Sequence, residues 1–244
     1  MPTAPQIDAP LSLGSFFPDS DAEEEVELDP CYETQEVILA SETLRVRQYA
    51  YHSHNANRVW PGTFNLADYL LAKGEDGHYR HCWGSVLELG TATGLLAIRL
   101  ALASQETGVI TSIVTSDVDD EHGDIEDNVR YNLELNGFSD QHADGKRMPI
   151  HVPHTWGTGW KVCAEQRGAN QDFDTVVASD ILLYVSAYPA LVETLKELML
   201  PHTKFVMSWN RRMNESQDFF ERMEQAGFSC QHEGKCVYTF QRKS

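Results

Sequence analysis

The segment Val86-Leu-Glu-Leu-Gly-Thr-Ala-Thr-Gly94 constrains this chain more than any other. A short apolar run, broken only by Glu88, enters a turn of small residues, and Gly94–Ala103 is then apolar nearly all round. That succession reads as a buried strand, a tight turn and a helix packed against a sheet. A second apolar run, Ile113–Thr115, leads to Asp117, and the alternation continues. Ile125, Val129 and Leu133 mark a helix by their four-residue spacing, while Ile150–Val152 and Thr175–Ala178 read as strands. A helix with Pro189 in its first turn precedes a strand at Phe205–Met207. The last helix is expected to start at Asn214, with Gln217 completing a capping-box-like pair, and to stop at Gly227. Phe228–Cys230 and Val237–Phe240 are expected to close the sheet as an antiparallel pair. Such a chain folds as α/β, with a Rossmann-like, doubly wound, mostly parallel sheet.

Upstream, residues 33–51 alternate as a β-hairpin would, with Ser41-Glu42 near the turn. Pro61 opens a helix that carries Phe64, Ala67, Leu70 and Leu71 on one stripe. Residues 158–170, with Gly159 and Gly168, read as an irregular surface loop.

Residues 1–30 differ from the rest. They hold eight acids, five prolines and no base, and read as a disordered acidic tail ahead of one domain over residues 31–244. The formal charge of the 244-residue chain is −18, so this tail carries eight of the excess negative charges and leaves ten to the domain. A pI near 4.8 argues against bulk capture of a nucleic-acid backbone and mildly favours a basic partner. The tight basic cluster in the chain is Arg211-Arg212. No apolar run is long enough to span a membrane, and the N-terminus lacks a secretion signal. Five scattered cysteines without a Cys-x-x-Cys pair read as reduced thiols in the cytoplasm. The histidine pairs His52/His54 and His151/His154 lack metal-site spacing, so no metal is expected.

The chemistry of the turn narrows its ligand. Asp117 ends the second strand, where a carboxylate can accept both ribose hydroxyls of an adenosine. A dinucleotide fingerprint would place glycines where this chain has Gly90, Ala92 and Leu95, and the last two fail. A phosphate-binding P-loop fails too, because no Gly-Lys-Ser/Thr ends the turn. What remains, an acid before a turn of small residues, suits S-adenosylmethionine, which has no phosphate and carries a cationic amine and a sulfonium. A base-methylating Asn/Asp-Pro-Pro-Tyr/Phe is absent after the fourth strand, where Ser179-Asp-Ile-Leu stands, so nucleic acid is not the expected substrate.

Several ordered motifs now add up. They are Val59-Trp-Pro-Gly62, the Val86–Gly94 turn, Val114-Thr-Ser-Asp117, Asn128-Val-Arg-Tyr-Asn-Leu-Glu-Leu-Asn136, Trp156-Gly157 and Ser179-Asp-Ile-Leu-Leu-Tyr184. From about residue 35 onward the chain resembles the seven-strand methyltransferases of methyltransferase family 16, many of which methylate protein lysines. The resemblance implies a class I methyltransferase domain with a seven-stranded sheet and the hairpin as a short N-terminal extension. It implies S-adenosyl-L-methionine held by Trp60, Glu88, Gly90, Thr91, Ala92, Asp117, Trp156 and Ser179. Trp60 would lie beside the methionine part, Glu88 near the amine, Asp117 at the ribose, Trp156 against the adenine and Ser179 at the pocket border. Asp180 and Tyr184 would serve the acceptor, a cation that a carboxylate and an aromatic wall can orient. Relatives carry Asp-x-x-Tyr here, whereas this tyrosine comes one residue late and Leu183 takes its place. The expected activity is protein-lysine N-methylation by a monomer acting on a protein, possibly a basic one. Two alternatives stand beside it: a small-molecule or non-lysine protein nitrogen acceptor, and a non-catalytic binding protein that keeps the fold.

Overall fold

The computed structural model describes residues 32–75, 79–138, 149–210 and 213–243. The acidic tail over residues 1–30 and the Arg211-Arg212 cluster lie outside the described residues. An antiparallel hairpin comes first, β1 (Tyr32–Leu39) and β2 (Glu42–Tyr49), followed by α1 (Pro61–Leu70). Then come β3 (Gly84–Leu89), α2 (Leu95–Thr107), β4 (Ile110–Asp117), α3 (Asp124–Leu135) and β5 (Ile150–Pro153). The chain continues through α4 (Trp160–Gln166), β6 (Thr175–Ser179), α5 (Tyr188–Leu198), β7 (Lys204–Ser208) and α6 (Gln217–Gln225). It finishes with β8 (Phe228–Gly234) and β9 (Val237–Arg242).

The seven strands from β3 onward form one sheet in the order β5-β4-β3-β6-β7-β9-β8. The β5-β4-β3-β6-β7 stretch is parallel, and β9 and β8 close it antiparallel. From β3 the chain winds outward through β4 and β5, then returns to place β6 on the other side of β3. The connection reverses there, which opens a crevice beyond the carboxyl ends of β3 and β6. Gly90 and Asp180 are the first residues past those two ends.

Alternation along the strands feeds two cores. Val86, Val177, Val206 and Val237 face a layer that includes residues of α1, α2 and α3. Leu87, Leu89, Val176, Phe205 and Met207 face the layer of α4, α5 and α6. Where a loop was expected over 158–170, the structure has the two-turn α4, with Trp160 and Ala164 fully buried. The Trp160 ring meets His154 and Phe173 edge-on, at centroid distances of 5.4 and 5.7 Å. The expected capping box at Asn214 and Gln217 is not formed. Asn214–Ser216 is a 3-10 turn, Ser216 caps α6 without a side-chain bond to the helix, and its hydroxyl donates back to the Met213 carbonyl.

The hairpin is held on the domain by asparagines. Asn128, Asn132 and Asn136 recur every four residues along α3 and its C-cap, and so share one face. Asn132 Oδ1 accepts the Arg47 N–H at 2.7 Å, and its Nδ2 donates to the Arg47 carbonyl at 3.1 Å. Asn136 treats Arg45 the same way, at 3.0 and 2.7 Å, and Asn128 Oδ1 accepts from Arg47 Nε at 2.9 Å. Side-chain amides thus supply to β2 the donor and acceptor that a neighbouring strand would. Asn132 Nδ2 also donates to the Thr93 carbonyl at 3.0 Å, so the ladder reaches the β3–α2 turn.

Candidate functional site

The β3–α2 turn is shaped by backbone that favours glycine. Gly90 has φ +67, and a Cβ there would come within 2.7 Å of Ile181 Cγ2. Gly94, the N-cap of α2, has φ +76 and sits against Val129. Ala92 adopts φ +49, a region that costs an L-residue roughly 1–2 kcal/mol. Its N–H is held in compensation by Asp117 Oδ2 at 2.8 Å. The other Asp117 oxygen accepts the Val118 N–H, also at 2.8 Å. Burial raises the Asp117 carboxyl above its ordinary range, and these two backbone bonds pull it back down.

Glu88 lies beneath the turn, 2% exposed. Its Oε2 accepts from Thr91 Oγ1 at 2.8 Å and from the Ala97 N–H at 3.2 Å. Burial pushes its pKa up to about 8, against the opposing effect of both hydrogen bonds.

Asp180 follows β6 directly, is 3% exposed and adopts φ +53. Its N–H donates to the Ser208 carbonyl at 2.9 Å, and its Oδ2 accepts the Gly62 N–H at 2.5 Å. Gly62 stands in the first turn of α1, so the carboxylate meets the positive end of that helix. A Cβ on Gly62 would lie 2.6 Å from Asp180 Oδ2, which ties the glycine of Val59-Trp-Pro-Gly62 to the aspartate 118 positions away. Ser179 Oγ lies 3.0 Å from Thr63 Oγ1, on the same helix start.

These elements enclose a cleft of about 240 Å³. Trp60, Gly90, Ala92, Asp117, Trp156, Ser179, Asp180 and Tyr184 all line it. Glu88 and Thr91 do not. They line a smaller recess behind the turn, which shares Trp60, Gly90, Ala92 and Ser179 with the main cleft. Trp156 is seated on α5: the next residue, Gly157, packs against Ala190 and donates its N–H to Thr194 Oγ1 at 2.9 Å. Tyr184, although late in its motif, stands on the rim at 46% exposure, and Leu183 lines the cleft beside it.

The cleft also has walls that sequence reasoning missed, among them His54, Asn55 and His154. His154 donates its backbone N–H to the Asp117 carbonyl at 2.8 Å, and its nearness to Trp156 was the available signal. His54 and Asn55 belong to an aperiodic loop before Trp60; His54 stood out only as half of a histidine pair without metal-site spacing, and no pattern singled out Asn55. Nearby, His52, Asp120 and Asp124 bring ligand-type atoms within 4.8 Å of one another. Their existing bonds are internal: His52 Nδ1 accepts the His54 N–H, and Asp120 Oδ2 accepts the Asp124 N–H at the start of α3.

A doubly wound sheet with this strand order, and a ligand-sized cleft past β3 and β6, defines the Rossmann-like methyltransferase fold. Residues 38–226 match the family model described as lysine methyltransferase, and the chain belongs to that family. It is 25% identical over 214 residues to "EEF1A lysine methyltransferase 3" of Xenopus tropicalis, covering 87% of this chain and 80% of that protein. It is 31% identical over 166 residues to "Protein-lysine N-methyltransferase EFM3" of Chaetomium thermophilum, covering 67% of this chain and 45% of that protein. The mouse "EEF1A lysine methyltransferase 3" is 26% identical over 69% of this chain, which spans 62% of that relative's length. Among solved structures, the Thermus thermophilus 16S rRNA N2 G1207 methyltransferase in complex with AdoMet and guanosine shares the fold. Its TM-score is 0.52 at 16% identity, over 87% of this chain and 51% of that one.

Proposed function

We propose that this chain is an S-adenosylmethionine-dependent methyltransferase that modifies a lysine amine of a protein. One observation carries the reading: Asp117 and the turn residues Gly90 and Ala92 share a single cleft with Asp180 and Tyr184. Cofactor-type and acceptor-type groups therefore face the same space. The lining fits a cationic adenosine ligand. Among its described residues are two carboxylates, Asp117 and Asp180, and no lysine or arginine that would ask for phosphate. Gly90 lacks the Cβ that would otherwise crowd Ile181, so backbone can approach a ligand closely.

In this reading Asp117 holds the ribose hydroxyls, Trp156 and Trp60 supply apolar walls, and Gly90 and Ala92 present backbone. S-adenosylmethionine supplies an electrophilic methyl group on a sulfonium. Transfer forms an N–C bond as the C–S bond breaks and S-adenosylhomocysteine leaves as the thioether, so the acceptor nitrogen must first lose its ammonium proton to solvent water at the cleft mouth. Asp180 attracts the ammonium into the cleft, and Tyr184 gives it an aromatic wall. The rest of the task is alignment and exclusion of water, which a preorganised cleft performs. Glu88 braces the turn from behind and takes no part in the transfer.

The protein acceptor, the monomeric state and a cytoplasmic setting belong to the same proposal. Relatives named for EEF1A and for protein lysines support the protein acceptor. A protein N-terminal amine is a second acceptor, favoured by the Cryptococcus neoformans relative named "Protein N-terminal and lysine N-methyltransferase EFM7". Purified protein with methyl-labelled S-adenosylmethionine and a cell lysate tests the reading, with EEF1A as the first single acceptor. Label is expected in protein bands and, after hydrolysis, in methyl-lysine. Label in the small-molecule fraction alone overturns the protein reading, and label in an N-terminal residue selects the second acceptor.

A further inference from the structure

One polar contact at the mouth of the cleft plays no part in the chemistry above. Asn55 Nδ2 donates to Tyr184 Oη, joining residues 129 positions apart. Both line the cleft. Half-exposed Tyr184 has little packing to fix its ring, and an unrestrained rim side chain samples several rotamers. Its tip needs a partner that is itself held still.

Asn55 meets that need. It sits at φ +59, a left-handed conformation that asparagine adopts more readily than most residues. Its N–H donates to the His52 carbonyl at 3.0 Å, and its own carbonyl accepts from Trp60 Nε1 at 3.0 Å. Trp60 caps α1, and two residues on, the Gly62 N–H donates to Asp180. The contacts close a ring: Asp180 to the start of α1, Trp60 to Asn55, Asn55 to Tyr184, and back along residues 180–184. Asp180 is 3% exposed, so an acceptor reaches it through the cleft that Asn55 and Tyr184 line.

We propose that Asn55 is a positioning residue that holds Tyr184 in place to set the acceptor opening. The inference rests on the methyltransferase reading of the cleft and deepens it. A hydroxyl has two lone pairs and one proton. With the Asn55 amide on one lone pair, the other can accept an N–H of the entering amine. That contact turns the nitrogen's own lone pair away from the ring and leaves it for attack. A phenylalanine at 184 would keep the wall and lose both bonds. Glycine at 55 would keep the left-handed backbone and lose the amide.

The full-length protein and its Asn55→Gly, Tyr184→Phe and double variants test this. S-adenosylhomocysteine affinity is measured by calorimetry, and label transfer is followed against increasing concentrations of lysate protein. Asn55→Gly is expected to raise the apparent KM for lysate protein roughly three- to tenfold, the size of one lost hydrogen bond, and Tyr184→Phe to raise it at least as much. S-adenosylhomocysteine affinity should stay within about twofold of wild type, since no cofactor contact is removed. The double variant should be no worse than Tyr184→Phe alone, because that variant already removes the bond that Asn55→Gly removes. Additive losses overturn the proposal, as does an Asn55→Gly loss matched by an equal loss of S-adenosylhomocysteine affinity. Wild-type protein that neither binds S-adenosylhomocysteine nor transfers label overturns the functional reading itself, and the role of Asn55 falls with it.

Discussion

Asp117 and Glu88 show how differently two acids on either side of one turn can behave. Asp117 sits on the cleft with each oxygen bonded to one backbone N–H. Under the proposed function, S-adenosylhomocysteine at a hundred times its Kd should stabilise the protein by about 2.7 kcal/mol, seen as a raised melting temperature. Asp117→Ala is expected to abolish that shift; a variant that keeps it would remove Asp117 from the cofactor site. Glu88 lines the smaller recess, and its burial makes stability depend on pH. Its folded pKa of about 8 lies above the ordinary carboxyl value, so it stays protonated at a pH where the unfolded chain ionises. Its contribution is complete below the unfolded pKa and is lost as pH rises through about 8. Stability, and the melting temperature with it, should fall between pH 5 and 8, by at most about 1.4 kcal/mol per pH unit. Glu88→Gln should flatten that slope, and an unchanged slope would assign it to other groups. The motif spacing showed both acids, but not which one lines the main cleft. That depends on the pleat, which turns Glu88 under the turn while Asp117 reaches the rim.

Among elements, hairpin and helix α3 depend on one another. Asn132 is fully buried and bonds the Arg47 N–H, the Arg47 carbonyl and the Thr93 carbonyl. Asn132→Ala leaves a buried N–H and two carbonyls without this partner, and should cost about 2–4 kcal/mol in denaturant unfolding. A loss below about 0.5 kcal/mol would mean that water replaces the amide without strain. The asparagines were visible in the sequence as a motif of unassigned purpose, because four-residue spacing gives a shared face but not its partner. Strands and long helices were legible for the opposite reason: their apolar periodicity is local. Helix α4 escaped notice, since seven residues between Gly159 and Gly168 carry only two buried positions, Trp160 and Ala164. An element that short is stabilised by the Trp160 packing rather than by its own sequence pattern.

Across the whole molecule, the topology was written into the alternation of strand and helix, and the crevice followed from where the winding reverses. Residues in motifs attached to strand ends could therefore be placed in advance. Asn55 and His54 could not, because the loop before α1 has no periodicity that would place it against the cleft. The asparagine ladder has one more effect, on motion. Arg45 and Arg47 are bonded to α3, and α3 through Asn132 to the Thr93 carbonyl of the ligand turn. Local opening of the hairpin must break bonds that also steady that turn, so filling the cleft should slow it. Backbone amide deuterium exchange at Arg45 and Arg47 is expected to slow on adding S-adenosylhomocysteine, by more than at β8 on the far edge of the sheet. Equal rates with and without the ligand would show that the hairpin opens independently. If the rates differ, two arginine amides on the outermost ribbon of the protein report, by how often they meet solvent, whether a site they never touch is full.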